Sequence, residues 1–343
     1  MKVNKFRKVM IANKFSKLII AFSFSISGFF IAPSNSEIFN FEECNKLENA
    51  EAFRKCINKS RTKSNEIIPL GLDDAIRALE SRDPGTALTK VNSFLKKNKR
   101  SKEAYLLRAL INNWDFDNMN KAMDDLNKAI KIDDQYVHAY ALRGQLYYWE
   151  LSNKPAAEKD LKKALSLSPD NTLANYLMAE LLHNFAFQQY DYDKKDLALE
   201  GGKEAVYFYE KVLSNKNIEE NFIIRRIFPF GIEYDVHYQL GNLKFDGYSL
   251  LKELKDRKLA KEYLKQAISY YTNSIKLAPT QESVTKLELD MDYDMISPAE
   301  LYLYRGNAYS WLDKTGRKQC KDWKISKKYG NKDAQKNVRD WRC

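Results

Sequence analysis

The sequence predicts an all-α fold, built as a solenoid of stacked, antiparallel helix pairs. Small residues Ala87, Ala122 and Ala157 recur every 35 residues, and a period of this length is typical of stacked supersecondary units. The motif Tyr105–Ala109 also recurs 35 residues later, at Tyr140–Gly144. Apolar residues in each unit are spaced by three and four positions, which indicates amphipathic helices.

Residues 1–36 have the pattern of a targeting segment. They contain six Lys or Arg and no Asp or Glu, and an apolar run from Leu18 to Ala32 follows the basic stretch. Small residues then precede a predicted cleavage after Ser36, as in a secretory signal. The run is shorter than the roughly 20 residues that a membrane span needs. We expect export to the periplasm, another extracytoplasmic lumen or the medium; the alternative is a membrane anchor at residues 18–32.

Most of the positive charge belongs to this segment. The net charge is +11 for the whole chain and falls to +5 for residues 37–343. Because the basicity is mainly that of the targeting segment, nucleic-acid binding loses its chief support. We therefore expect no nucleic-acid partner.

The chain has four cysteines, Cys44, Cys56, Cys320 and Cys343. An even number after a secretory signal favours disulfides, and we favour the pairs Cys44–Cys56 and Cys320–Cys343. The first pair requires a turn, because twelve residues of straight helix would separate the cysteines by roughly 18 Å. Gly330 lies within the second pair and allows two helices to fold back. Four free thiols are the alternative.

The chain divides into a targeting segment and four further regions. Residues 37–66 are predicted to form a disulfide-stapled helical cap, 67–185 a regular array, 186–330 irregular units, and 331–343 a C-terminal capping helix. The irregularity is predicted because 48 residues separate Ala157 from Ala205 and 62 separate Ala205 from Ala267. The extra residues fall in insertions at 186–200, 221–236 and 246–262.

These motifs resemble the tetratricopeptide repeat (TPR) family. The motif Arg143-Gly144-x2-Tyr147, followed by Ala157, Leu161, Ala164 and Pro169, carries the resemblance best. Further matches end at Pro279 and near Ser326. The resemblance implies a right-handed α-solenoid of six units over residues 67–330, irregular in its C-terminal half. It also implies a non-catalytic role in binding other proteins.

The sequence contains few residues suited to catalysis. The three histidines have no partners at metal-ligand spacing, and the motifs of serine hydrolases, zinc proteases, phosphate loops and dinucleotide sites are missing. We therefore expect a protein that is not an enzyme and needs no metal or cofactor. An enzyme with its site in the later insertions is an alternative.

Two groups of residues are candidates for partner binding. In the resembled family the first helix of each pair lines a concave groove, where Tyr and Trp suit an interface. The groove candidates are Trp114, Gln145, Tyr148, Trp149, Tyr176 and Glu180. The alternative is that several of them belong to the core between repeats.

The second group lies in the apolar, aromatic and basic stretch 221–232. Its candidates are Phe222, Arg225, Arg226 and Phe228. Left exposed, such a stretch would mark a partner or membrane surface; the alternative is that it packs back on the solenoid.

The expected function is that of a scaffold or assembly adaptor that binds a peptide or protein segment in the concave groove. The alternative is a membrane-anchored scaffold that uses an uncleaved N-terminal helix and the 221–232 insertion.

Overall fold

The computed structural model describes residues 71–192, 194–215, 222–228, 230–285, 296–312 and 315–343. Within these ranges the chain is helical and contains no strand, which confirms the all-α prediction. The targeting segment, the 37–66 cap and the Cys44–Cys56 pair lie outside the described residues. The helices are α1 (Asp73–Glu80), α2 (Pro84–Lys97), α3 (Lys102–Trp114), α4 (Met119–Ile132), α5 (Val137–Gln145), a π-helical turn (Leu146–Glu150), α6 (Lys154–Leu167), α7 (Thr172–Asp191), α8 (Lys195–Ser214), α9 (Phe222–Ile227), α10 (Ile232–Glu253), α11 (Arg257–Leu277), α12 (Pro298–Leu312), α13 (Arg317–Lys328) and α14 (Lys332–Asp340).

The described helices pack in consecutive pairs, each with a first helix A and a second helix B. The pairs are α1/α2, α3/α4, α5/α6, α7/α8, α10/α11 and α12/α13. Every pair has one residue at the repeating helix-B position that is fully shielded from solvent. These residues are Ala87, Ala122, Ala157, Ala205, Ala267 and Gln319. The period seen in the sequence is therefore the period of the packed pairs.

A recurring turn reverses the chain inside several pairs. It combines a residue with positive φ and, directly after it, an Asp or Asn that caps helix B. The positive-φ residues are Arg82, Asp117, Ser152 and Lys255. In the first of these turns, the Asp83 carboxylate accepts the Thr86 N–H at 2.9 Å. Such a cap typically contributes about 1 kcal/mol to the stability of the fold. This offsets the unfavourable free energy of the left-handed backbone conformation.

Longer helices explain most of the irregular spacing. The early helices α3 and α4 have 13 and 14 residues, whereas α7 and α8 have 20 each. Helices α10 and α11 have 22 and 21 residues. The expected insertions at 186–200 and 246–262 are therefore largely extensions of the paired helices. The 221–236 insertion contains the additional helix α9.

Helix α10 joins two hydrophobic clusters. Val236, Leu240 and Leu243 belong to the large cluster that runs from Leu72 through the first four pairs. Tyr234 and Tyr238 belong to the cluster of the last pairs. Because residues from one helix enter both cores, the C-terminal pairs continue the same packed array.

Glycines bring helix A and helix B close together, as the sequence predicted. A Cβ on Gly144 would lie 3.1 Å from the Leu161 side chain. A Cβ on Gly241 would lie 2.6 Å from the Tyr271 ring. The missing side chain thus makes room for a bulky one on the partner helix.

The C-terminal helix α14 packs on α13. Cys320 and Cys343 lie at opposite ends of this hairpin in sequence, with Cα atoms 5.3 Å apart and their sulfurs bonded. Among the helices of the described ranges, none combines the length and apolarity needed to cross a bilayer.

Candidate functional site: the helix-A face around Glu180

Side chains from two successive A helices converge on Glu180 in α7. The Trp149 Nε1–H donates to Glu180 Oε2 at 2.9 Å, and the Tyr176 hydroxyl lies 3.2 Å from Oε1. The Tyr148 hydroxyl donates to the main-chain oxygen of Glu180, also at 3.2 Å. Both the carboxylate and the backbone of Glu180 are thereby held by aromatic side chains from neighbouring repeats.

A π-helical turn positions Tyr148 and Trp149. It spans Leu146–Glu150, and the Leu151 N–H bonds to the Leu146 carbonyl at 3.1 Å. This wider turn ends helix A of the third pair. It allows the adjacent residues Tyr148 and Trp149 both to contact Glu180 in the next repeat. Single π-turns inside helices are frequent at functional sites.

Asp235 extends the site across to α10. It accepts a hydrogen bond from the Tyr176 hydroxyl, which also faces Glu180. Burial raises the pKa of Tyr176 well above its ordinary value, and Asp235 and Glu180 raise it further. Tyr176 therefore remains a protonated donor shared by two carboxylates. We call Tyr148, Trp149, Tyr176, Glu180 and Asp235 the Glu180 cluster.

Two buried polar groups near the cluster have unused hydrogen-bonding capacity. Gln145 precedes Tyr148 by about one helical turn, and its Nε2 has no hydrogen-bond partner among the described residues. The same holds for the hydroxyl of Tyr209, whose ring centroid is 5.8 Å from that of Tyr176. The two side chains are 1% and 0% exposed. A buried polar group without a partner is unfavourable by about 1–3 kcal/mol.

The cluster has a buried floor and a more open rim. Tyr148 and Tyr176 are buried, whereas Trp149, Glu180 and Asp235 are partly exposed. Trp114 extends the rim, since its ring meets the Trp149 ring edge-on with centroids 6.3 Å apart.

Comparison with protein families identifies the repeat. The tetratricopeptide repeat model matches residues 95–136, 137–171 and 249–280. The chain therefore contains tetratricopeptide repeats (TPRs) at these three places. The first two matched segments contain the pairs α3/α4 and α5/α6. The third contains the C-terminal end of α10 and the whole of α11. All three belong to units that the sequence also predicted.

Three solved structures show partial similarity to the chain. The structure of MamA is 19% identical and covers 61% of this chain and 99% of its own, with a TM-score of 0.40. YrrB, described as a TPR protein with an unusual peptide-binding site, is 15% identical over 73% of this chain and 97% of its own, with a TM-score of 0.42. PilW, a type IV pilus biogenesis factor, is 14% identical over 77% and 94%, with a TM-score of 0.46. The search of curated proteins found no match to this chain.

Most of the predicted groove residues lie close together. Tyr148, Trp149 and Tyr176 each contact Glu180, and the Trp114 ring contacts that of Trp149. The alternative of core packing also holds in part, because Gln145, Tyr148 and Tyr176 are buried.

The two candidate groups also meet each other. Phe228, predicted as a partner contact, is only 7% exposed, and its ring centroid lies 4.7 Å from that of Tyr176. Ile223, Ile224 and Ile227 are buried in the same core. The apolar part of the insertion thus packs on the solenoid, which was the alternative interpretation. Phe222, Arg225 and Arg226 belong to α9.

Sequence reasoning did not identify Asp235 or Tyr209. Tyr209 occupies the aromatic position of a TPR helix B, so the repeat pattern marks it only as a packing residue. Asp235 follows the insertion and lies 59 residues from Tyr176. No local pattern relates the two, and only the packing of α10 beside α7 and α8 brings them together.

The described residues show no metal-binding geometry. In the part of the chain that the structure describes, no group of three or more His, Cys, Asp or Glu could hold a metal ion. His138 is partly buried, and its pKa is lowered to about 4 by burial and then by the positive charge of Lys102. It is therefore neutral over the physiological pH range.

Proposed function

We propose that this TPR protein is a non-catalytic scaffold that holds a segment of another protein, or a peptide, against the Glu180 cluster. TPR proteins generally bind other proteins or peptides, and the helix-A face offers a site of suitable chemistry. The proposal includes export directed by residues 1–36, with the cysteines paired as disulfides.

The observation that carries this proposal is the convergence on Glu180. Trp149 and Tyr176 come from successive repeats and are locked by hydrogen bonds to the same carboxylate. A site held in this way loses little side-chain freedom when a ligand binds, so less of the binding free energy is lost in ordering it.

Glu180 also indicates the chemistry of the segment. It is partly exposed, and no Lys, Arg or His nitrogen of the described residues forms an ion pair with it. A Lys or Arg of the bound segment would supply the missing positive charge.

The clean test uses rim residues, because truncating buried Tyr148 or Tyr176 would create a cavity and destabilise the fold. A library of random linear peptides is selected on the oxidised protein, and the selected peptides are measured by calorimetry against Glu180→Gln and Trp149→Ala. We expect enrichment of Lys or Arg and at least about tenfold weaker binding to each variant, as for a central interface residue.

Trp311→Ala is the matched control, since Trp311 is a half-exposed tryptophan of α12, away from the cluster. Peptides that bind wild type and Glu180→Gln equally would place the site elsewhere. N-terminal sequencing of the exported protein tests the targeting part, and an intact Met1 on a membrane-bound product would favour the anchored alternative.

A further inference from the structure

The C-terminal end of the solenoid carries a concentrated positive charge. Residues 315–343 contain ten basic and three acidic side chains, a net charge of +7. This exceeds the +5 of residues 37–343 as a whole, so residues 37–314 are slightly acidic. The basic residues, all exposed, are Arg317, Lys318, Lys321, Lys324, Lys327, Lys328, Lys332, Lys336, Arg339 and Arg342.

Helix α13 arranges four of these charges in a row. Arg317, Lys321, Lys324 and Lys328 are spaced by four, three and four residues, which places them on one side of the helix. The other side carries the buried Trp323 and its neighbours, which pack on the solenoid. Because the apolar side is already occupied by packing, the row faces outward as a fixed strip about 16 Å long.

Acidic neighbours neutralise little of this charge. Asp322 is committed to a two-point ion pair with Arg305 of α12. Asp340 lies beside Arg339, with 3.2 Å between Nε and Oδ1. Among the described residues, the other nine exposed cations form no ion pair with a carboxylate. Like charges four residues apart repel one another, and an anionic partner would relieve that repulsion.

We propose that this basic cap, residues 317–342, docks on the surface of an anionic lipid membrane. Seven of its ten cations are lysines. A lysine acts as a point charge and suits a diffuse negative surface, whereas arginine is favoured for bidentate phosphate recognition in nucleic acids. Trp341 and Tyr329 are 48% and 42% exposed at the same end. Tryptophan and tyrosine are enriched where membrane meets water.

The chain's own N-terminus supports this choice of partner. The apolar run at residues 18–32 directs the chain to a membrane, whether it is cleaved as a signal or retained as an anchor. The basic cap would then hold the array against the headgroups, with the Glu180 cluster two helix pairs away and free for a protein segment.

The test compares two quadruple variants with the same loss of charge. The first is Arg317→Gln, Lys321→Gln, Lys324→Gln and Lys328→Gln. The control is Lys90→Gln, Lys121→Gln, Lys131→Gln and Lys159→Gln, four exposed lysines of the N-terminal repeats. Co-sedimentation is measured with phosphatidylcholine vesicles, with and without about 30 mol % phosphatidylglycerol. Circular dichroism verifies folding, and the shared N-terminus contributes equally to every variant.

We expect the wild type to prefer the anionic vesicles, with the preference falling as salt rises from about 50 to about 500 mM. The cap variant should lose at least about tenfold in partition coefficient, and the control less than about twofold. No preference for anionic vesicles, or equal losses in both variants, would overturn the proposal. Binding to duplex DNA or polyglutamate but not to vesicles would also overturn it. Peptide binding at the Glu180 cluster is a separate measurement, so the failure of one proposal leaves the other intact.

Discussion

Arg143 and Asp160 form a two-point ion pair across the third helix pair, with Nε to Oδ2 at 2.7 Å and Nη2 to Oδ1 at 2.9 Å. The remaining nitrogen, Nη1, donates to Asn127 of the preceding helix B at 2.8 Å. The guanidinium also lies 5.6 Å from the Tyr140 ring centroid. One side chain thus connects helix A, its own helix B and the previous repeat.

The same arrangement occurs in two other pairs. Arg108 contacts Asp125 and Asn92 at 2.7–2.8 Å. Arg305 contacts Asp322 at 2.8 Å twice, with Thr272 replacing the asparagine. In these three units an Arg and an Asp 17 residues apart therefore connect neighbouring repeats, and this spacing is visible in the sequence.

Replacing Arg143 with Met should destabilise the fold by about 3 kcal/mol, because Asp160 is buried and would lose its counter-charge. The free energy of unfolding is measured by urea denaturation. Lys162→Met is the matched control, since Lys162 pairs with Glu158 at the surface, where such pairs contribute at most about 1 kcal/mol. Equal effects of the two substitutions would contradict the role assigned to Arg143.

Gly241→Ala should destabilise the fold, although alanine is the better helix former. The new Cβ would lie 2.6 Å from the ring of Tyr271, which is fully buried and held by packing. We expect a net loss of about 1–3 kcal/mol, typical of overpacking, measured as a lower unfolding midpoint. Gly85→Ala is the control, because its nearest neighbour would be 3.6 Å away. A neutral Gly241→Ala would show that α10 and α11 can move apart.

Acidification should destabilise the protein partly through His138. Its pKa is lowered from 6.5 to about 4 in the folded state, so between these values the unfolded chain binds more protons. The contribution of His138 to stability is therefore fully present above pH 6.5 and is lost as the pH decreases toward 4. His138→Gln should lose less stability over this window, as measured by denaturation at several pH values. If the stability of wild type and of His138→Gln fell equally with pH, or if NMR gave a pKa near 6.5 for His138 in the folded protein, this prediction would be wrong.

Cys343→Ser should loosen α14 more than the rest of the array. The bond to Cys320 closes the α13/α14 hairpin, and a disulfide of this loop length is worth about 3 kcal/mol in the chain-entropy model. Hydrogen exchange should become faster in α14 and remain unchanged in α3 and α4. Wild type treated with a reductant is the internal comparison and should behave like the variant. Peptide mapping that finds Cys320 and Cys343 as free thiols in the untreated protein would contradict this prediction.

Much of the fold could be predicted because the repeat imposes the same requirements in every unit. Ala122 and Ala157 must be small for their helices to nest, and Asn118 and Asn153 occupy equivalent caps. The lengthened helices α7, α8, α10 and α11 were one of three possibilities that the sequence left open, beside extra helices and loops. Their extra turns carry ordinary apolar and charged residues that are compatible with a loop or a helix, and only packing against the neighbour distinguishes the two.

Four of the five members of the Glu180 cluster were candidates from the sequence, whereas Asp235 and the contacts among the members were not predicted. Repeat position predicted that Trp149, Tyr176 and Glu180 line the inner face. The sequence alone did not indicate the π-turn, because that turn depends on a backbone hydrogen bond and not on residue type. Nor did it place Phe228 against Tyr176.

The sequence by itself determined the all-helical class, the period and the pairing of helices, because each repeat contacts mainly its neighbours and local spacing specifies those contacts. Only the tertiary structure decided that Glu180 and Asp235 share one tyrosine hydroxyl and that α13 turns its lysines outward. Both relationships depend on how distant helices are rotated against each other, and this rotation arises from the sum of many packing contacts.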